Sequence, residues 1–186
     1  MNSLDIVLNS RRLTLKVIDE SYADEVINYF KRNKEFLEKW EPKREEEFYT
    51  LEYQKNQLRN DLINMNKGNL LKLWIFSSFD NKIIGSLAFN NIVRGCFQSC
   101  YLGYHLDKEE VNNGYMTEAL EEAINFLFEE FKLHRIEANI MPKNNPSLRV
   151  VQKLGFYNEG LAKKYLTING KWEDHIHMVL LNEEVE

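Results

Sequence analysis

The chain has 186 residues, 44% of them apolar, 12% aromatic and 28% charged, the profile of one globular domain long enough to bury a core. Its 24 Lys and Arg stand against 29 Asp and Glu, and a net charge of −5 argues against a protein that reads nucleic-acid phosphates with excess cations. No apolar run reaches the ~18 residues of a membrane span, the start Met1-Asn2-Ser3-Leu4-Asp5 lacks the pattern of a signal peptide, and Cys96 and Cys100 cannot build a disulfide framework; a single cytoplasmic domain over 1–186 with two free thiols is expected.

Residues 6–18 alternate around Arg11-Arg12 and predict one strand. Asp19 or Ser21 is placed to cap a helix with Tyr22, Val26, Ile27 and Phe30 on one face. Phe36, Leu37 and Trp40 predict a short further turn before Pro42. Thr50 to Asn66 predicts a second helix, with Leu51, Leu58, Leu62 and Met65 in register and Gly68 as its stop. The period then changes to two: residues 72–79 and 82–89 flank an Asp80-Asn81 turn and predict a hairpin. A third strand spans Gln98 to Leu106, and a polar loop from Asp107 to Gly114 follows.

After that loop comes a helix with Leu120, Ala123, Ile124, Leu127 and Phe131 as its inner stripe. Arg135 to Met141 predicts a strand, and Pro146 suits the first turn of a helix that ends at Gly155. Strands at 157–168 and 172–181 flank an Asn169-Gly170 turn. The order β-α-α-β-β-β-α-β-α-β-β predicts a mixed α/β (α+β) fold with a mostly antiparallel central sheet, flanking helices and one βαβ unit at 98–141.

Two segments carry chemistry. In Val111-Asn112-Asn113-Gly114-Tyr115-Met116-Thr117, small or left-handed-tolerant residues precede a helix N-terminus, so backbone N–H groups can converge on an anion such as a pyrophosphate. A plain tight turn has the same composition, and the loop fits neither a Walker motif nor a dinucleotide fingerprint. The second segment is Asn144-Asn145-Pro146-Ser147, running on to Lys153, Gly155-Phe156 and Glu159-Gly160.

Together these segments resemble the Gcn5-related N-acetyltransferase superfamily, whose phosphate loop reads Gln/Arg-x-x-Gly-x-Gly/Ala. Asn-x-x-Ser followed by Lys-x-Gly-Phe resembles the branch that acetylates ribosomal-protein N-termini, most of all its type specific for alanine on small-subunit protein five. The resemblance extends to residues 33–42 (NKEFLEKWEP), 89–104, 134–144 and 160–175. It implies an acetyl-CoA cosubstrate lying between the strands at 101–106 and 136–141, with pantetheine amides paired near Leu102, Gly103, Tyr104 and His105. The pyrophosphate is then implied at Asn112, Asn113, Gly114, Tyr115, Met116 and Thr117, with Asn144 and Ser147 beside the thioester. Val111 departs from the loop pattern and removes a side-chain donor; Met116 departs harmlessly, because the backbone makes the contacts.

The resemblance also implies a reaction: a free amine attacks a thioester, giving an amide and a thiol. Many relatives carry a glutamate at the position of Tyr101 and a tyrosine at that of Val151, and both groups are missing here. An α-amine with a pKa near 7.7–8.0 is roughly 10% neutral at pH 7, whereas lysine is below about 0.1% neutral. The missing carboxylate therefore favours a protein N-terminus as acceptor. A small-molecule amine (a polyamine or an aminoglycoside) and a ribosome-associated binding role with vestigial transfer are the alternatives.

Single residues have rival readings. Ser147 either caps its helix or protonates the departing thiolate. Tyr101 is either a second acid or a half-buried packing residue. His175 and His177 share a strand face, but no third ligand at suitable spacing accompanies them, so no metal is expected. Glu45-Glu46-Glu47 is a solvated run or an acidic lip for a basic peptide, and Trp40 serves packing or substrate recognition. The general base and the choice between monomer and homodimer stay open.

Overall fold

Strict alternation of buried and open positions along Leu13–Lys16 and Arg135–Ile140 marks strands that carry one apolar row against a helical layer. Eight strands join one sheet in the computed structural model, which describes residues 3–185; Met1, Asn2 and Glu186 lie outside the described residues. They are β1 (Val7–Asn9), β2 (Leu13–Lys16), β3 (Leu71–Ser77), β4 (Ile83–Val93), β5 (Ser99–Leu106), β6 (Arg135–Ile140), β7 (Tyr157–Ile168) and β8 (Lys171–Leu181). Their spatial order is β1-β2-β3-β4-β5-β6-β8-β7, antiparallel throughout except for the β5–β6 pair.

The segment expected as one strand at 6–18 is a hairpin instead. The Ser10 N–H donates to the Leu13 carbonyl at 2.9 Å, and β1 pairs back on β2 from Val7↔Lys16 to Asn9↔Thr14.

Helix α1 (Ala23–Leu37) and helix α2 (Leu51–Asn66) cover one face of the sheet. Asp19 caps a short 3-10 turn, Glu20–Tyr22, that leads into α1. Phe36 and Leu37 belong to α1 itself rather than to a separate turn. The Thr50 hydroxyl accepts from the Tyr53 N–H at 3.3 Å and caps α2. Val26, Tyr29, Phe30, Leu58, Trp74 and Phe76 form the core on this side.

Helix α3 (Tyr115–Phe126) and helix α4 (Asn145–Lys153) cover the opposite face. The predicted stripe Leu120, Ala123, Ile124 and Leu127 is buried, whereas Phe131 ends a π-helical turn, Leu127–Phe131, and is only half-buried.

The feature that positions a site lies at the one parallel pair. Strands β5 and β6 pair at Ser99↔Arg135, Cys100↔Ile136 and Tyr101↔Glu137, then part. Their outer neighbours continue, β4 to Leu106 and β8 to Ile140. Residues 102–106 and 138–140 thus face each other across a wedge with unpaired backbone edges, open to a ligand that offers amides of its own.

Candidate active site

The wedge opens into a cleft of about 860 Å³ that reaches both faces of the sheet. Side chains alternate along β5. Leu102, Tyr104 and Leu106 pack toward α3 and α4, and His105 packs toward Tyr29, Phe30 and Trp74. A Cβ at Gly103 would meet only the Asn90 Nδ2, 3.9 Å away, so the floor of the cleft is open there.

The expected anion loop closes the far end of the cleft. Asn112 (φ 65°) and Gly114 (φ 80°) take left-handed conformations, and Gly114 is the N-cap of α3. Asn112, Gly114, Tyr115, Met116 and Thr117 line the cleft, as does Val111. The Met116 side chain is buried in the core, which leaves its backbone for a ligand. Asn113 does not line the cleft: its side chain donates to the Glu110 carbonyl, and its own carbonyl accepts from Arg12.

Arg12 is a residue that sequence reasoning missed. From the β1–β2 turn it donates to the Asn113 carbonyl (3.1 Å) and through Nε to Glu118 (2.7 Å), with its guanidinium 4.4 Å from the Tyr115 ring centroid. Burial alone would raise the Glu118 carboxyl, but hydrogen bonds from Ser10 and Arg12 outweigh it and hold the group below its usual range. The loop is therefore tied to the other end of the chain. On α4, Arg149 and Lys153 also line the cleft and supply the cations that Val111 does not.

Ser147 and Tyr104 form the centre of the α3–α4 side. The Tyr104 hydroxyl lies 2.7 Å from Ser147 Oγ and 3.0 Å from the Ser147 carbonyl oxygen. Burial pushes the Tyr104 phenol well above its ordinary value, so it stays protonated, although the contact with Ser147 lowers it slightly. The capping alternative for Ser147 is corrected: Asn144 is the N-cap, its side chain accepting from the Ser147 N–H at 3.3 Å. The Ser147 hydroxyl is free of that duty.

On the opposite face, Phe36, Trp40, Asn139 and His175 line the cleft. Trp40, for which packing was one reading, therefore forms part of the wall. Two carboxylates line the cleft among the described residues, and both are paired: Glu41 with Arg44, and Asp61 with Lys72 at 2.7 Å and Gln57 at 2.8 Å. His105 is saturated by the Tyr29 hydroxyl (2.8 Å) and Ser86 Oγ (3.0 Å), and burial drives it down to about 4.

Tyr101 falls outside the lining. It sits on the last paired rung, opposite Asn90 on β4 and Glu137 on β6, 41% exposed. The Tyr165 phenol is raised first by burial and then by the neighbouring Tyr101. The acidic run at 45–47 is exposed, with Glu46 bound to Lys34 at 2.9 Å, and does not line the cleft. Among the described residues no group of three or more His, Cys, Asp or Glu could hold a metal ion, and no helix is long and apolar enough to cross a membrane.

A parallel pair that splays beside a glycine-capped helix, with hydroxyls at its mouth, is an arrangement that can hold a thioester for attack. Residues 12–157 match the family model for the acetyltransferase (GNAT) domain. The chain belongs to the GNAT acetyltransferase family. A GNAT relative from Bacillus subtilis (strain 168), named "Probable N-acetyltransferase YjcK", is 35% identical over 180 residues, 97% of this chain and 99% of its own length. The ribosomal protein uS5-alanine N-acetyltransferase of Escherichia coli (strain K12) is 37% identical over 172 residues, 91% of this chain and 87% of its own length. Among solved structures, the ribosomal-protein-S5-alanine acetyltransferase from Vibrio fischeri is 36% identical and superposes with a TM-score of 0.93, covering 98% of this chain and 100% of that one.

The residues present fit the GNAT acetyl donor. The wedge offers unpaired backbone to the pantetheine amides, the Asn112–Thr117 loop offers N–H groups to phosphates, and Arg149 and Lys153 offer charge.

Proposed function

We propose that this cytoplasmic N-acetyltransferase moves the acetyl group of acetyl-CoA to the N-terminal α-amine of a protein, alanine-first and ribosomal as in the E. coli and V. fischeri relatives. One observation carries the choice of acceptor: both carboxylates on the cleft are locked in ion pairs, so no free carboxylate lines it among the described residues. Lysine would need a strong base to become neutral, whereas roughly a tenth of an α-amine is neutral at pH 7. A polyamine would seek unpaired carboxylates to hold its charges, which this wall lacks.

Each residue then has a task. The loop from Asn112 to Thr117, with Arg149 and Lys153, receives the phosphates; Leu102, Gly103, Tyr104 and His105 present backbone along the wedge. Asn144 fixes the first turn of α4 and thereby the position of Ser147. Tyr104 has one proton and two acceptors on residue 147. When it donates to Oγ, the Ser147 hydroxyl hydrogen is free to pass to the departing thiolate. The acid role expected at Tyr101 therefore passes to the Ser147–Tyr104 pair. Trp40 and Phe36 border the acceptor side.

The test is thiol release from acetyl-CoA with peptides bearing a free N-terminal alanine, with spermidine and with an aminoglycoside. Turnover confined to the peptides is expected. Turnover confined to spermidine or the aminoglycoside would overturn the reading. Ribosome binding without any turnover would leave a binding protein in its place.

A further inference from the structure

We propose that His175 is the general base of the reaction, taking the proton from the acceptor α-amine through Nε2; the inference rests on the transfer reaction proposed above. His175 lies on β8 at 3% exposure, yet it lines the cleft on the acceptor side. Its Nδ1 is 3.0 Å from the Glu173 backbone carbonyl. A carbonyl oxygen only accepts, so Nδ1 carries the hydrogen, and in the neutral ring the lone pair sits on Nε2. Nε2 has no hydrogen-bond partner among the described residues. The backbone thus sets the tautomer that a base needs, the task a carboxylate performs in the familiar triads.

Elimination points the same way. His105 uses both nitrogens, on Tyr29 and Ser86. Glu41 and Asp61 are ion-paired. Tyr104 is engaged with residue 147. His177, one pleat away, has Nδ1 2.8 Å from Glu137, but its Nε2 is sealed from solvent and unpartnered, so no acceptor amine reaches it. Among the described side chains that line the cleft, His175 alone is an imidazole with an uncommitted nitrogen lone pair.

The balance closes. The neutral amine nitrogen bonds to the thioester carbonyl carbon, the carbon–sulfur bond breaks, and the nitrogen gives one proton to His175 Nε2. The sulfur receives one proton from Ser147, which Tyr104 and solvent restore, and the imidazolium returns its own proton to solvent.

The charged and titratable groups around His175 are few. Tyr165 on β7 places its ring centroid 5.8 Å from the imidazole and 4.9 Å from His177. The Glu173 carboxylate is held by Lys143 at 2.7 Å, and Asp174 accepts from the Lys164 N–H at 2.8 Å. Glu137 lies behind His177, and the Glu41–Arg44 pair lines the cleft from the segment that follows α1.

The experiment compares wild type, His175→Asn and His177→Asn with a free N-terminal alanine peptide. Asn at 175 can still donate to the Glu173 carbonyl but offers no base. His175→Asn is expected to lower kcat roughly 100-fold, the scale of a lost general base, with the Kd for acetyl-CoA within twofold of wild type. The acid limb of its kcat/KM profile should reduce to that of the peptide amine alone. His177→Asn should stay within about threefold of wild type, since it removes no lone pair from the cleft. If His175→Asn does not fold, His175→Gln is read in the same way. A 175 variant with normal kcat and an unchanged pH profile overturns the assignment while leaving N-terminal transfer standing. Loss of activity in His177→Asn alone overturns it equally. A wild-type enzyme that acetylates no peptide overturns both readings at once.

Discussion

Replacing Ser147 by Ala removes an Oγ that lies 2.7 Å from the Tyr104 hydroxyl and leaves the backbone carbonyl 3.0 Å away. Tyr104 therefore keeps an acceptor, and no buried polar group is orphaned. The loss to folding is one hydrogen bond, about 0.5–1.5 kcal/mol. The helix cap is untouched, because Asn144 supplies it. The catalytic effect should be larger. A thiol with a pKa near 8.5 leaves with modest help, so the loss belongs at the lower end for general acids, roughly 10- to 100-fold in kcat, or about 1.4–2.7 kcal/mol of barrier. Tyr104→Phe should produce a drop of the same order, and the double variant should be little worse than either single one, because the two hydroxyls act as one relay. Steady-state thiol release, calorimetric Kd for acetyl-CoA and thermal midpoint are measured on all three. Normal kcat in Ser147→Ala with a lowered midpoint would refute the relay and leave the proton to water.

Other expectations follow from the same geometry. Gly114→Val should weaken CoA binding by about tenfold or more. The cause is the φ of 80° rather than crowding, since a Cβ there lies 3.6 Å from Arg12 Nη2, and calorimetry checks it. Arg149→Ala with Lys153→Ala should raise the acetyl-CoA Kd and flatten its salt dependence, read by titration at two ionic strengths. Trp40→Ala should raise KM for the peptide and leave the Kd for acetyl-CoA unchanged, because the ring borders the cleft on the acceptor side. Asp107 is raised by burial, but Arg32 (2.6 Å), the Glu109 N–H and Asn33 outweigh this and lower it below its usual 3.8. A lowered carboxylate stabilises the fold above its unfolded pKa and loses that contribution as pH falls through the folded one. The gap in thermal midpoint between wild type and Asp107→Asn should thus be full near neutrality and shrink as pH falls below the usual carboxyl range and through the lowered folded value.

Much of the fold is written in local patterns, and the exceptions have physical causes. The helix at 51–66 begins at Thr50, and the Asn169-Gly170 turn sits where its left-handed conformations are needed. The first strand breaks into a hairpin at a bend whose local signal, Asn9-Ser10, is weak beside the alternation on either side of it. That bend is held from afar by Glu118, 106 residues along the chain. Tyr101 and Tyr104 differ in parity on β5, and only the sheet's packing shows that Tyr104 faces Ser147 while Tyr101 meets Tyr165. The cap was legible: Pro146 belongs to a first helical turn, which puts the N-cap before it, at Asn144 rather than Ser147. The locked tautomer of His175 was not, since it depends on where one carbonyl of its own strand points.

The central claim is that this cleft transfers acetyl to a protein α-amine, and mass spectrometry of the products tests it most directly. An alanine-first peptide that also contains an internal lysine is incubated with the enzyme and acetyl-CoA, beside a copy blocked at its N-terminus. The account predicts a single acetyl group, on the α-nitrogen, matched by one free thiol released, and no product from the blocked copy. Acetylation of the lysine in the blocked copy, or of spermidine in place of the peptide, would contradict it.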